Sequence, residues 1–519
     1  MAEFKSNSRH IDITKIPHID EISHHGAYDR VITKDPSTFK AQSQETNKIL
    51  PSLEEAIRRS GLKDGMTISF HHHFRNGDHI INQVLDKIAE MGFKNLTLAA
   101  SSLSSVHDPL IKHIKNGVIT HIETSGLRGE LAEEISRGLM DFPVVFRSHG
   151  GRAAAIVSGD LHIDVAFLGA ASCDPYGNAN GYSRSDDSAL ACGSLGYART
   201  DAKYADYTII LTNHFVQYPN APWAIPEYDV DAIVYMEDIG DPAGIMSGAT
   251  RYSKNPKELL IAETAANVVE AAGYFYDGFS MQMGSGGASL AVARFIREKM
   301  IAQNIKCRFA LGGITGQITK MYEEGLINRI LDVQSFDLDA ALSLKKNHFH
   351  HQIDSAYYAS FLGSAAVNQL DFVVLSALEI DVDFNVNVLT GSDGVIRGAI
   401  GGHPDTAEGA GLSVVVAPLT RGRIPSIINR VSTLVTPGDT VDVVVTDCGV
   451  AVNPRRPDVA EKLKAAGIKM VPIEKLRDMA YALVGEPDPI RYTDKVVGVV
   501  MYRDNSIIDV VYQIDESEE

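Results

Sequence analysis

Apolar positions first recur at helical spacing in PSLEEAIRRSG, residues 51–61, where Ser52 and Glu55 form a capping box and Gly61 supplies the stop. From there to the end of the chain, β-type apolar runs alternate with helical ones, the pattern of parallel α/β architecture. Residues 1–50 are polar and His-rich without sustained periodicity, so they are expected to form an extended or partly disordered arm.

The pattern also repeats. IDVAFLGAASCDPYGNANG (163–181) matches LDFVVLSALEIDVDFNVNV (370–388) at one offset without gaps, so that Asp174 falls on Asp381, Asn178 on Asn385 and Asn180 on Asn387. Three further blocks keep the same order: 64–88 resembles 277–300, 92–103 resembles 304–315, and 230–245 resembles 441–453. Four matched blocks in one order indicate a duplication. Two homologous α/β domains are expected, 51–255 and 256–519, joined near TRYSKNPKEL. Loops that open helices lie at the carboxyl edge of an open parallel sheet, where such folds place ligands, and two such edges would enclose a site.

Composition narrows the function classes. The 519 residues are too many for one ordinary core. The four cysteines (Cys173, Cys192, Cys307, Cys448) contain no CxxC pair, which fits a reducing cytoplasm better than a disulfide framework. No secretory signal and no apolar run of membrane-spanning length are read in the sequence, so neither export nor a membrane partner is expected. A net charge of −18 opposes binding to nucleic acid. A polyanionic substrate must then be held by local arginines, amides or helix N-termini. Arg421, Arg423, Arg430 and the pair Arg455–Arg456 are either a basic patch for an acidic carrier or scattered solvated charges.

The two copies differ most where Glu379 stands opposite Ser172. Following the buried run DFVVL, Glu379 should project at a carboxyl edge as a nucleophile, base or orienting acceptor. A loop cap or arginine partner is the plainer role for such a residue. Nearby, GSDGVIRGAIGGHPD (391–405) carries Ser392, Arg397, Gly401, Gly402, His403 and Asp405. Its paired glycines can aim N–H groups at a carboxylate or a thioester oxyanion. MGSGGAS (283–289), with Gly284, Gly286 and Gly287, is a second such turn; neither has Walker or GxGxxG spacing. The run of His71, His72, His73 and His79 alternates faces on a strand, so no metal site is expected; these are read as polar loop residues beside Arg75. HFHHQ (348–352) reads as a solvated loop and Trp223 as a packing residue.

LEEAIRRSGLKDGMTISFHHHFRNGD, TSGLRGELAEEISRG, GNANGYS and VLSALEIDVDFNVNVLTGSDGVIRGAIGGHPDTA closely resemble the citrate lyase α-subunit family over roughly residues 50–519. More widely the chain resembles the CoA transferases, whose fold is a duplicated α/β domain and whose GxGGxxD loop matches Gly401, Gly402 and Asp405. The resemblance implies exchange of acetyl for citryl on an acyl-carrier thioester through a mixed anhydride. It implies no cofactor bound by this chain, a β subunit that cleaves the citryl thioester, a γ subunit bearing a CoA-derived arm, and a homo-oligomer within that complex. It gives Glu379 the place of a catalytic glutamate, as nucleophile or as orienting group, with Gly401 and Gly402 beside it. Arg75, Arg128, Ser392, Arg397, His403 and Asp405 become candidates for citrate, and Gly284, Gly286, Gly287, Asn385 and Asn387 for the carrier arm. A transferase for malonate or acetate, and a non-catalytic carrier-docking scaffold, remain the alternatives.

Overall fold

The computed structural model describes residues 3–6, 9–22, 47–71, 73–184, 190–246, 253–284 and 286–517. Ser52 caps the first long helix, Leu53–Ser60, by accepting the Glu55 N–H at 3.2 Å, and Gly61 ends it at φ 71°. His72, Ser285, residues 23–46 of the expected arm and residues 250–252 of the expected junction lie outside the described residues.

Two mostly parallel sheets carry the fold. The first, ten strands wide, is centred on Thr67–Phe70. Leu96–Ala100, Ile119–Thr124 and Val144–Phe146 follow on one side, and Val165–Gly169, Tyr207–Thr212 and Ala232–Tyr235 on the other. The second sheet repeats this order around Phe279–Met283. Cys307–Ile314, Ile330–Ser335 and His350–Gln352 lie to one side, and Phe372–Ser376, Leu412–Val416 and Val443–Thr446 to the other. In both, strand order reverses at the central strand, which opens a crevice at the carboxyl ends. The best-matched blocks also pair alike: Ser172 faces Asn180 and Glu379 faces Asn387 in equivalent antiparallel ladders.

The chain does not divide where the repeat suggests. Tyr492–Met501 and Ile507–Ile514 join the first sheet, with Gly498–Val500 parallel to Val144–Phe146. The physical reason is an unfinished edge. Val496, Val499 and Met501 cover Phe142 and Val145, while Val497 and Val500 complete the main core of the first half. Ile16 and Ile22 pack on the same cluster, so part of the N-terminal arm is ordered against it.

The halves meet through backbone. Leu127 N–H donates to the Gly398 carbonyl at 3.0 Å, and Ile400 N–H to the Ser125 carbonyl at 2.8 Å. A Cβ on Gly126, between these bonds, would stand 2.2 Å from that of Ala399. Only glycine lets the two strands approach so closely. Among the described residues no helix is long and apolar enough to cross a membrane.

Candidate active site

Where the two carboxyl edges face each other they enclose a cavity of about 280 Å³. The first half contributes the turns after four successive strands, which bring Arg75, Ser104, Arg128 and His149 to the wall. The second contributes Gln282, Gly284 and Gly286 around the end of its central strand, Phe336 after Ile330–Ser335, and the segment Ala399–His403. The helices His149–Ser158 and Gly287–Gln303 begin here, so N-terminal dipoles from both halves favour a negative occupant.

Charge on this wall has one sign. Among the described residues, those lining it include arginines and histidines but no Asp, Glu, Lys or Cys. Burial pushes Arg75 down to about 10, and the neighbouring Arg128 charge pushes the same way; Arg75 still stays a cation at neutral pH. Burial also lowers Arg128, and no carboxylate among the described residues forms an ion pair with it. The histidines are neutral donors instead, because burial lowers His149 to about 3 and His403 to about 4. His403 Nε2 donates to the Ser376 carbonyl at 3.1 Å, while Nδ1 accepts from the Thr436 hydroxyl at 2.6 Å. Gln282 Nε2 donates to the Tyr358 hydroxyl at 2.9 Å. Gly401 sits at φ 56°, and neither its N–H nor that of Gly402 has an acceptor among the described residues. Those two amides are free to meet an oxyanion.

Seven of the sequence candidates therefore reach the cavity: Arg75, Arg128, Gly284, Gly286, Gly401, Gly402 and His403. The others do not, and each has a physical reason. Glu379 is buried behind the wall, where one carboxylate oxygen accepts from Asn387 Nδ2 and Ser432 N–H, both at 2.9 Å, and the other from the Ser432 hydroxyl at 3.0 Å. Burial raises its pKa against those bonds and the nearby Arg421. The residues just before it, Leu375 to Leu378, line the cavity, and Arg421 donates to the Ala377 and Leu378 carbonyls.

Asp405 ties the halves together: it accepts the Ser148 hydroxyl at 2.8 Å and the Gly150 N–H at 2.9 Å, and burial raises it to about 6. Arg397 is exposed and paired with Asp393, and Ser392 lies off the cavity in the same turn. Gly287 is buried in the first helical turn behind Gly286. Asn385 closes a turn onto Asp381, as Asn178 does onto Asp174, and the Asn387 carbonyl oxygen accepts the N–H groups of Leu389 and Thr390.

Of the described histidines between 71 and 79, His73 is buried 2.8 Å from Asp78 and His79 pairs with Asp238 at the surface. His350, read as solvated, is buried against Asp332 and Ser343. His149, Gln282, Phe336 and Tyr358 were missed. Only His149 had a legible signal, the glycines of SHGG at the start of a helix.

A family model described as citrate lyase, alpha subunit, matches residues 46–514. The chain belongs to the citrate lyase α-subunit family. It is 58% identical to the citrate lyase alpha chain of Escherichia coli (strain K12) over 481 residues, covering 92% of this chain and 93% of that one. The Klebsiella pneumoniae citrate lyase alpha chain is 56% identical over 493 residues, 95% of this chain and 96% of its own length. Among solved structures, a putative citrate lyase α subunit from Streptococcus mutans in complex with citrate superposes with a TM-score of 0.90. That structure is 55% identical and covers 95% of this chain and 97% of its own. A malonate decarboxylase α subunit from Acinetobacter baumannii shares the fold alone, at TM-score 0.61 and 14% identity over 84% of this chain and 91% of its own. Like the rest of the citrate lyase α-subunit family, the chain is a transferase of the citrate CoA-transferase type.

Proposed function

We propose that the cavity holds citrate on Arg75 and Arg128, and that citrate's own carboxylate, not a protein acid, attacks the acetyl thioester. One observation carries this reading: among the described residues the wall holds two buried cations and no carboxylate, while both oxygens of Glu379 are engaged elsewhere. The Streptococcus mutans relative solved with citrate supports the choice of acid.

The step balances without a redox or nucleotide partner. A citrate carboxylate oxygen adds to the acetyl carbonyl, the C–S bond breaks, and a thiolate leaves an acetyl–citryl anhydride. The thiolate then adds to the citryl carbonyl, forming citryl thioester and releasing acetate with the oxygen that came from citrate. Each addition puts negative charge on a carbonyl oxygen, and the open amides of Gly401 and Gly402 are the donors assigned to it. Losing one such donor commonly costs roughly 3–4 kcal/mol of barrier. An anhydride must be kept from water, which favours a site between two facing sheet edges.

The thioester is assigned to the CoA-derived arm of a carrier subunit, entering beside Gly284 and Gly286. Within a multi-subunit citrate lyase, a second partner would cleave the citryl thioester. Three cysteines buried as free thiols support assembly in the reducing cytoplasm.

The Glu379→Gln variant tests the central assignment. The new carbonyl can accept from Asn387 and Ser432 N–H, and the new amide can donate to the Ser432 hydroxyl, so the fold keeps its bonds. Transferase activity with acetyl-CoA and citrate is expected to stay within about threefold of wild type, since no transition-state contact is lost. Glu379→Ala removes the acceptor shared by three donors, from Asn387 Nδ2, Ser432 N–H and the Ser432 hydroxyl, and should lower Tm, at about 1–3 kcal/mol for each donor left unsatisfied. An inactive but well-folded glutamine variant would return Glu379 to the chemistry.

A further inference from the structure

The helix His149–Ser158 of the first half is held at its start by the second half, residue by residue. Asp405 accepts the Ser148 hydroxyl at 2.8 Å and the Gly150 N–H at 2.9 Å. Between them, the His149 N–H donates to the Gly401 carbonyl at 2.9 Å. A Cβ on Gly150 would stand 2.2 Å from the Ala359 carbonyl oxygen, so this turn rests directly on the opposite backbone. The His149 side chain is thereby fixed at the seam, half-buried and lining the cavity.

The imidazole itself is placed by packing. Its ring centre lies 4.6 Å from that of Tyr197, and neither ring nitrogen has a hydrogen-bond partner among the described residues. Nε2 lies 3.6 Å from the point where a Cβ on Gly401 would stand. It therefore faces the space that a side chain at position 401 would fill, beside the open amides of Gly401 and Gly402.

Burial, with the Arg152 charge on the same helix, lowers the ring to about 3, so it is neutral near pH 7. A neutral imidazole carries one N–H and can polarise a carbonyl oxygen while keeping its proton. It is also a weak base, since base strength follows pKa. That suits this reaction, in which a carboxylate attacks and a thiolate leaves without any proton transfer. An ordinary histidine here would activate water against the anhydride.

We propose that His149 is a catalytic residue whose Nε2–H is a third donor to the carbonyl oxygen that becomes anionic in each addition. This rests on the reading of the cavity as the transfer site. As the oxygen takes up the carbonyl electron pair, the N–H hydrogen-bonds to it. When the C–S or C–O bond breaks, the pair returns to the carbonyl and the proton stays on Nε2.

The test uses the full chain with acetyl-CoA and citrate, measuring kcat and both KM values for His149→Phe, His149→Gln and Arg128→Gln. Phenylalanine keeps a ring against Tyr197 and removes the N–H; glutamine removes the ring and keeps an N–H donor. His149→Phe should lower kcat about a hundredfold while both KM values stay within about threefold. His149→Gln should stay within about tenfold of wild type. His149→Leu takes the place of the phenylalanine variant should that one fail to fold.

Two results overturn the proposal: an unchanged kcat in His149→Phe, or equal losses in the phenylalanine and glutamine variants, which would make ring packing the whole effect. If Arg128→Gln raises citrate KM in the same assay, the transfer-site reading stands without His149. An unchanged citrate KM there, beside an unchanged His149→Phe, removes the reading and the proposal together.

Discussion

Arg128→Gln should raise citrate KM on the order of a hundredfold, with acetyl-CoA KM changed little. The guanidinium lines the cavity, is desolvated, and has no carboxylate partner among the described residues, so its charge is uncompensated until an anion arrives. Truncating one member of a buried, charge-assisted contact typically costs about 2–5 kcal/mol, and a hundredfold corresponds to about 2.7 kcal/mol. Arg128→Lys should recover part of this, because an ammonium supplies the charge without the planar fork that matches a carboxylate. Steady-state kinetics with citrate as the varied substrate checks both values. An Arg128→Gln variant with wild-type citrate KM would move citrate away from this wall.

Gly126→Val should lower kcat/KM at least about a hundredfold while the secondary structure of each half persists. The first atom of the new side chain would lie 2.2 Å from Ala399 Cβ, 2.5 Å from its Cα and 2.8 Å from the Gly398 carbonyl oxygen. Two of those atoms are backbone, so the seam must part rather than a side chain turn aside. Parting it moves Arg128, two residues along one strand, away from Gly401 and Gly402, just beyond the other. Misplacement by about 1 Å in such a site can cost about 10²-fold. Far-ultraviolet circular dichroism should stay close to wild type while activity falls and Tm drops. Retained activity would mean that the two edges need not meet here.

How much of this was legible in the sequence depends on the kind of signal. The duplication was, because an ungapped offset reflects two sheets with the same strand order. Part of the strongest match is architecture. Asp174–Asn178 and Asp381–Asn385 are the same side-chain-closed turn, kept in both halves because both need it. Glu379 looked catalytic through its asymmetry with Ser172, yet both residues bind neighbouring polar groups on an equivalent ladder.

The Gly-rich loops and the arginines of FRNGD and SGLRG were found from the chain alone, since strand–turn–helix order places them at a carboxyl edge. Arg397 could have been discounted, because Asp393 four residues earlier lies within its reach. Tyr358 and Phe336 could not be found this way: they reach the cavity only through docking of the halves, which no local pattern encodes. The last hairpin has a plain strand signature, but its partner, Val144–Phe146, lies far back in the chain. Alternation of apolar residues shows that a strand exists, not which edge it completes.

The source of the attacking oxygen is the most direct measure of the whole account. A single turnover of the full chain with acetyl-CoA and citrate labelled with ¹⁸O in its carboxylates should release acetate carrying one citrate oxygen in the first turnover. The protein, incubated with acetyl-CoA alone, should keep its unmodified mass. Unlabelled acetate in that first turnover, together with a protein heavier by a CoA thioester, would contradict it and make a side-chain carboxylate of the enzyme the nucleophile.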